Sequence, residues 1–128
     1  MLKELIIAYV TFVLVDSIWL RISKKKWQKV NGGVPFEAFP AGLLAYAALA
    51  IGVVYVAYPL YLHYSQSMSK EHALLVAGML VGFTVYFTYD MTNRVVFGKS
   101  YPWSLALMDA AWGTFVFPLV LWIYTKFI

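Results

Sequence analysis

Residues 41–62, AGLLAYAALAIGVVYVAYPLYL, contain no charged side chain. As a helix such a segment is roughly 33 Å long, enough to cross a hydrocarbon core of about 30 Å. The rest of the chain fits that solvent. Of 128 residues, 62% are hydrophobic and 12% charged, with a mean hydropathy of +0.73. A water-soluble domain of this size keeps too much of its surface in water to hide so much apolar area. These features predict an all-α membrane protein, a compact bundle of four transmembrane helices. Residues 1–128 form a single transmembrane domain with spans of about 5–22, 40–62, 72–92 and 102–125.

Local signals place the breaks. Pro40 and Pro102 suit the first turns of the second and fourth helices, where a missing N–H costs nothing. Pro59 and Pro118 should kink their helices and free the carbonyls of Tyr55 and Thr114. NGGVP at 31–35 reads as the loop between the first two spans. The first apolar run follows Lys3 but lacks a small-residue cleavage site before SKKKWQK, so it reads as an uncleaved helix and not a signal peptide. Small residues at helical spacing on three spans predict close backbone packing: Ala41, Ala45, Ala48 and Gly52; Gly78 and Gly82; Ala106, Ala110 and Gly113. These stripes should draw the third and fourth helices close to the second.

Charge sets an expected orientation. Of the ten Lys and Arg residues, seven (Arg21, Lys24, Lys25, Lys26, Lys29, Arg94 and Lys99) fall on one side and three (Lys3, Lys70 and Lys126) on the other. By the positive-inside rule the basic side is cytoplasmic and both termini lie outside. The Lys24–Lys29 loop, with Trp27, is expected to meet anionic lipid headgroups, and no nucleic acid is expected as a partner.

Against this background three carboxyls stand out. The uncharged stretch 5–15 is roughly 16 Å of helix, too short to span, so the first helix must carry Asp16 into the bilayer. The stretch 110–125 is about 24 Å, so the fourth must begin before Asp109. Asp90, in FTYDMTNR, closes the third span near the interface. All three fall at comparable depth near the basic side. DSIW and DAAW place Trp19 and Trp112 one turn from Asp16 and Asp109. Asp90, Asn93 and Arg94 share a face, which makes Arg94 the expected partner of Asp90, while Arg21 can reach back toward Asp16. With so few cations, neutral donors such as Thr88, Tyr89 or Thr92 are expected to serve the remaining carboxyl. Ionisable groups at membrane depth mark a functional site by default, which makes Asp16, Trp19, Asp90, Asn93, Arg94, Asp109 and Trp112 the candidate binding residues.

Other motifs carry less. Without cysteine there is no thiolate chemistry or Cys-based metal site. GKS at 98–100 lacks the rest of a phosphate loop. His63 and His72 read as interfacial residues, so neither a metal nor a cofactor is expected.

VDSIWL, TYDMTN and LMDAAWGT, in that order, resemble the DUF2177 family of small membrane proteins over essentially the whole chain. The resemblance implies a four-span membrane protein and assigns no chemistry. The favoured functional reading is an acidic, Trp-flanked pocket, open to the cytoplasm, that binds or transports a cationic or amphipathic, lipid-like ligand. The alternatives are a lipid-modifying enzyme using Asp16 and Asp109 as acid and base, a proton or cation conduit formed by a homo-oligomer, and a structural subunit of a membrane complex in which the cluster only fixes helix register. Whether the protein is an enzyme is open, since no nucleophile–His pair is visible.

Overall fold

A computed structural model of the chain describes residues 1–32 and 39–128. It is an up-and-down bundle of four helices: α1 (Leu2–Asn31), α2 (Phe39–Tyr64), α3 (Lys70–Phe97) and α4 (Trp103–Phe127). Each is long and apolar enough to cross a membrane. The sequence explains the ends. Gly32, at φ 70°, stops α1 in a left-handed turn and donates its N–H to the Gln28 carbonyl, a conformation that suits a residue without Cβ. Ser69 caps α3 by accepting the His72 N–H. Pro102 precedes the first turn of α4.

Helix α1 runs about two turns beyond its expected span. Lys24–Lys29 therefore lie on a helix and not in a loop. Lysine and glutamine are good helix formers, and nothing in SKKKWQK breaks the turn before Gly32. The four lysines are exposed, while Trp27 turns inward. Of the expected 31–35 loop, positions 33–35 lie outside the described residues.

The tightest pairing is α3 with α4. Gly78 faces Pro118: a Cβ added at Gly78 would sit 2.6 Å from the Pro118 nitrogen and 2.8 Å from its Cβ. One residue lacks a side chain and the other lacks an N–H, so the backbones meet. Gly82 in turn faces the Gly113 carbonyl, and Gly113 faces the ring of Tyr86. Helix α4 is the most enclosed of the four and packs on α1 through Phe12 and Phe117, whose rings meet edge-on at 5.0 Å.

The small-residue stripe of α2 does not take part as expected. Ala41, Ala45 and Ala48 are exposed; the inward face carries Tyr46, Ala50, Val53 and Ala57. Tyr46 has a hydroxyl to satisfy and finds its acceptor inside the bundle, which sets the rotation of α2. Around Pro59 the distortion takes the form of a π-helical turn, Val53–Ala57, closed by donation from the Tyr58 N–H to the Val53 carbonyl. The wider turn accommodates the proline that follows.

The outer surface is apolar. Leu14, Ile18, Leu44, Val56, Leu80 and Phe115 are among the exposed large hydrophobic residues. In water this would be a continuous sticky surface; in a bilayer it is the lipid-facing side.

Candidate functional site: a buried carboxyl core

The three aspartates converge. Asp16, Asp90 and Asp109 are 7%, 0% and 3% exposed. Their positions follow from antiparallel packing. On α1 and α4, Phe12 meets Phe117, Asp16 meets Trp112 and Trp19 meets Asp109, and Trp27 meets Tyr101 just before α4. On α3 and α4, the register that seats Gly82 on Gly113 also brings Asp90 and Asp109 into the same buried layer, close enough for each carboxyl to feel the other's charge.

The two D-x-x-W motifs form a reciprocal clasp. Trp112 Nε1 donates to Asp16 Oδ1 at 2.8 Å, and Trp19 Nε1 donates to Asp109 Oδ1 at 2.9 Å. The indoles stack between them, 5.4 Å apart and 13° from parallel. An i, i+3 acceptor–donor pair runs in opposite directions on antiparallel helices, so each acid finds the other helix's indole. The sequence had suggested that each tryptophan accompanies its own helix's acid; it serves the partner instead.

Asp16 is the best satisfied of the three. Besides Trp112, it accepts from Tyr46 Oη on α2 at 2.8 Å and from Tyr86 Oη on α3 at 3.3 Å. One carboxyl thus binds all three other helices. Asp90 accepts from Tyr101 Oη at 2.5 Å, while its Oδ2 is buried and has no hydrogen-bond partner among the described residues. Tyr101 reaches it from a short 3₁₀ turn, Gly98–Ser100, entered through Gly98 at φ 58°. Burial, and then the bond to Asp90, push the Tyr101 phenol above its ordinary range.

The expected ion pairs are replaced by other contacts. Arg94 does not meet Asp90. Its Nη1 donates to the Tyr101 carbonyl at 2.6 Å and its guanidinium lies 4.2 Å from the Trp103 ring centre. At a helix end a guanidinium finds open carbonyls close by, and stacking on an indole keeps it near water; entering the carboxyl core would strip its hydration. Arg21 is exposed, and among the described residues the one ion pair joins the N-terminus to Glu4. Thr88, Tyr89 and Thr92 are also exposed and do not serve the acids. Asn93 is half-buried, at the edge of the cluster near Tyr89 and Tyr101. All three carboxyls are buried inside the bundle.

Tyr46, Tyr86 and Tyr101 were missed from the sequence, masked among ten tyrosines that read as interfacial. A signal existed for one of them: Tyr86 continues the four-residue step of Gly78 and Gly82 and precedes Asp90 by one turn. A buried tyrosine needs a partner for its hydroxyl.

Four apolar helices around a buried carboxyl core define a multi-span integral membrane protein. A family model described as "Predicted membrane protein (DUF2177)" matches residues 1–125. The chain belongs to that family. No curated protein and no solved structure matches it.

Proposed function

We propose that this protein binds a cation, the proton being the smallest, at the Asp90–Asp109 pair, and that it carries or couples the movement of that cation through the membrane. The observation that carries the reading is the buried Oδ2 of Asp90, which has no hydrogen-bond partner among the described residues, near a second carboxyl and with no salt-bridged basic side chain among those residues. Two carboxylates in a medium of low dielectric repel strongly. They stay together when positive charge lies between them. Two carboxyls are too few for a calcium-like site of six to eight oxygens, and among the described residues no group of three His, Asp or Glu side chains forms a metal site. A shared proton or a monovalent cation fits.

Asp16 has the other role. Its three neutral donors leave it little to offer a ligand, so the D-x-x-W clasp is the frame that holds α1, α2 and α3 around α4. The observation favouring a purely structural reading is that clasp. It accounts for Asp16, Trp19 and Trp112 and leaves the unpartnered oxygen of Asp90 unexplained. In this reading the core faces the cytoplasmic end, and Lys24–Lys29 lie along anionic headgroups there.

The test uses purified protein in liposomes with an entrapped pH dye. A membrane potential is imposed in the presence of sodium, potassium or tetraphenylphosphonium. Wild type should move protons with at least one of these, and Asp90→Asn and Asp109→Asn should abolish the signal. A silent wild type, or Asn variants as active as wild type, would refute the proposal. Infrared difference spectra give a second readout: a protonated-carboxyl band should vanish in Asp90→Asn or Asp109→Asn and persist in Asp16→Asn.

A further inference from the structure

A second site lies at the other end of the bundle. Between the start of α3 and the last turns of α4 runs a groove of about 500 Å³, lined by Lys70, Glu71, Leu74, Leu119, Trp122 and Lys126 among others. Lys70 is roughly 30 Å along α3 from Asp90, so the groove is separate from the carboxyl core. We propose that it holds one membrane phospholipid, with the phosphate between Lys70 and Lys126, the headgroup ammonium on Glu71, and an acyl chain along the apolar floor.

Three features point to that occupant. The first is charge: Lys70, Glu71 and Lys126 are exposed at the groove's polar end, and among the described residues none of them has an ion-pair partner. Two cations and one anion match a zwitterionic headgroup. The second is depth. Lys70 and Lys126 sit at helix ends, where headgroups lie. Lys126 also stands 5.6 Å over the ring of Trp122, a half-exposed indole of the kind that belongs at the bilayer interface. The third is length. From Lys126 to Phe115, which also lines the groove, the helix rises roughly 16 Å, about half the hydrocarbon thickness. That is the reach of one acyl chain in one leaflet. Pro118 forms part of the wall and is held by Gly78 behind it, so the groove is set by the rigid α3–α4 contact.

The experiment is lipid binding to delipidated protein in detergent. Phosphatidylethanolamine, phosphatidylcholine and phosphatidylglycerol of identical chains are compared by native mass spectrometry. Chain-brominated phosphatidylethanolamine reports proximity by quenching tryptophan fluorescence. One lipid should be retained per chain, and quenching should be largely lost in Trp122→Phe. Lys70→Gln with Lys126→Gln should weaken retention at least roughly tenfold, the loss expected when two charge-assisted bonds go. Glu71→Gln should remove the preference for the ethanolamine lipid over phosphatidylglycerol. Leu74→Trp, which fills the floor and leaves the charges in place, should block binding without unfolding the protein. Retention unchanged in the double Gln variant, or quenching unchanged in Trp122→Phe, would overturn the assignment. So would full competition by glycerophosphoethanolamine, which has no chains.

Discussion

Burial alone ranks Asp90 as the most deeply placed carboxyl, at 0% exposed against 7% for Asp16. Hydrogen bonding ranks them the other way, and stability should follow hydrogen bonding. Asp16→Ala strands three donors, Tyr46 Oη, Tyr86 Oη and Trp112 Nε1. Side-chain hydrogen bonds inside membrane proteins contribute on average ~0.6 and at most ~1.7 kcal/mol each. Three of them place the loss at roughly 2–5 kcal/mol. Among the described residues Asp90→Ala strands only Tyr101 Oη and removes an oxygen without a partner, so its cost should stay near or below ~1.7 kcal/mol. The two truncations remove the same atoms, so the cavity contribution largely cancels in the comparison. Asp16→Asn keeps an acceptor for Tyr86 and Trp112 and should lose less than half of what Asp16→Ala loses. The assay is reversible unfolding in mixed micelles, with sodium dodecyl sulfate as denaturant and far-ultraviolet circular dichroism as the signal. If Asp90→Ala proves as destabilising as Asp16→Ala, the clasp is not what holds the four helices together.

Three further outcomes are expected. Gly82→Leu should separate α3 from α4 and prevent stable folding, because the added side chain meets the Gly113 carbonyl and Phe117; Gly42→Ala, where a Cβ meets nothing among the described residues, should be neutral or stabilising by up to ~1 kcal/mol in the same unfolding assay. Tyr101 has a phenol raised by burial, so its contribution is fully present below the unfolded value of about 10 and is lost as pH rises from there toward the folded value; Tyr101→Phe should flatten the alkaline fall in stability, measured by unfolding between neutral and strongly alkaline pH. In this cysteine-free chain, Lys25→Cys should resist an impermeant thiol reagent in intact cells while Ser67→Cys is labelled, and the reverse pattern would invert the orientation.

The sequence by itself determined the solvent, the four helices and the level of the carboxyls. These follow from run length and rise per residue, which are local quantities: 11 uncharged residues before Asp16 cannot span a bilayer whatever packs around them. The repeated D-x-x-W also lay in plain view, and the glycines of α3 announced a close contact. What tertiary structure decided was who meets whom. Spacing puts Asp90 and Arg94 on one face of α3, yet the guanidinium found the Tyr101 carbonyl and the Trp103 ring instead. The stripe of Ala41, Ala45 and Ala48 looked like a packing face until the hydroxyl of Tyr46 turned the helix toward Asp16. Helical periodicity fixes which side chains share a face, and desolvation and hydrogen-bond satisfaction across four helices fix where that face points. Those costs depend on every neighbour at once, so they are settled only when the bundle closes.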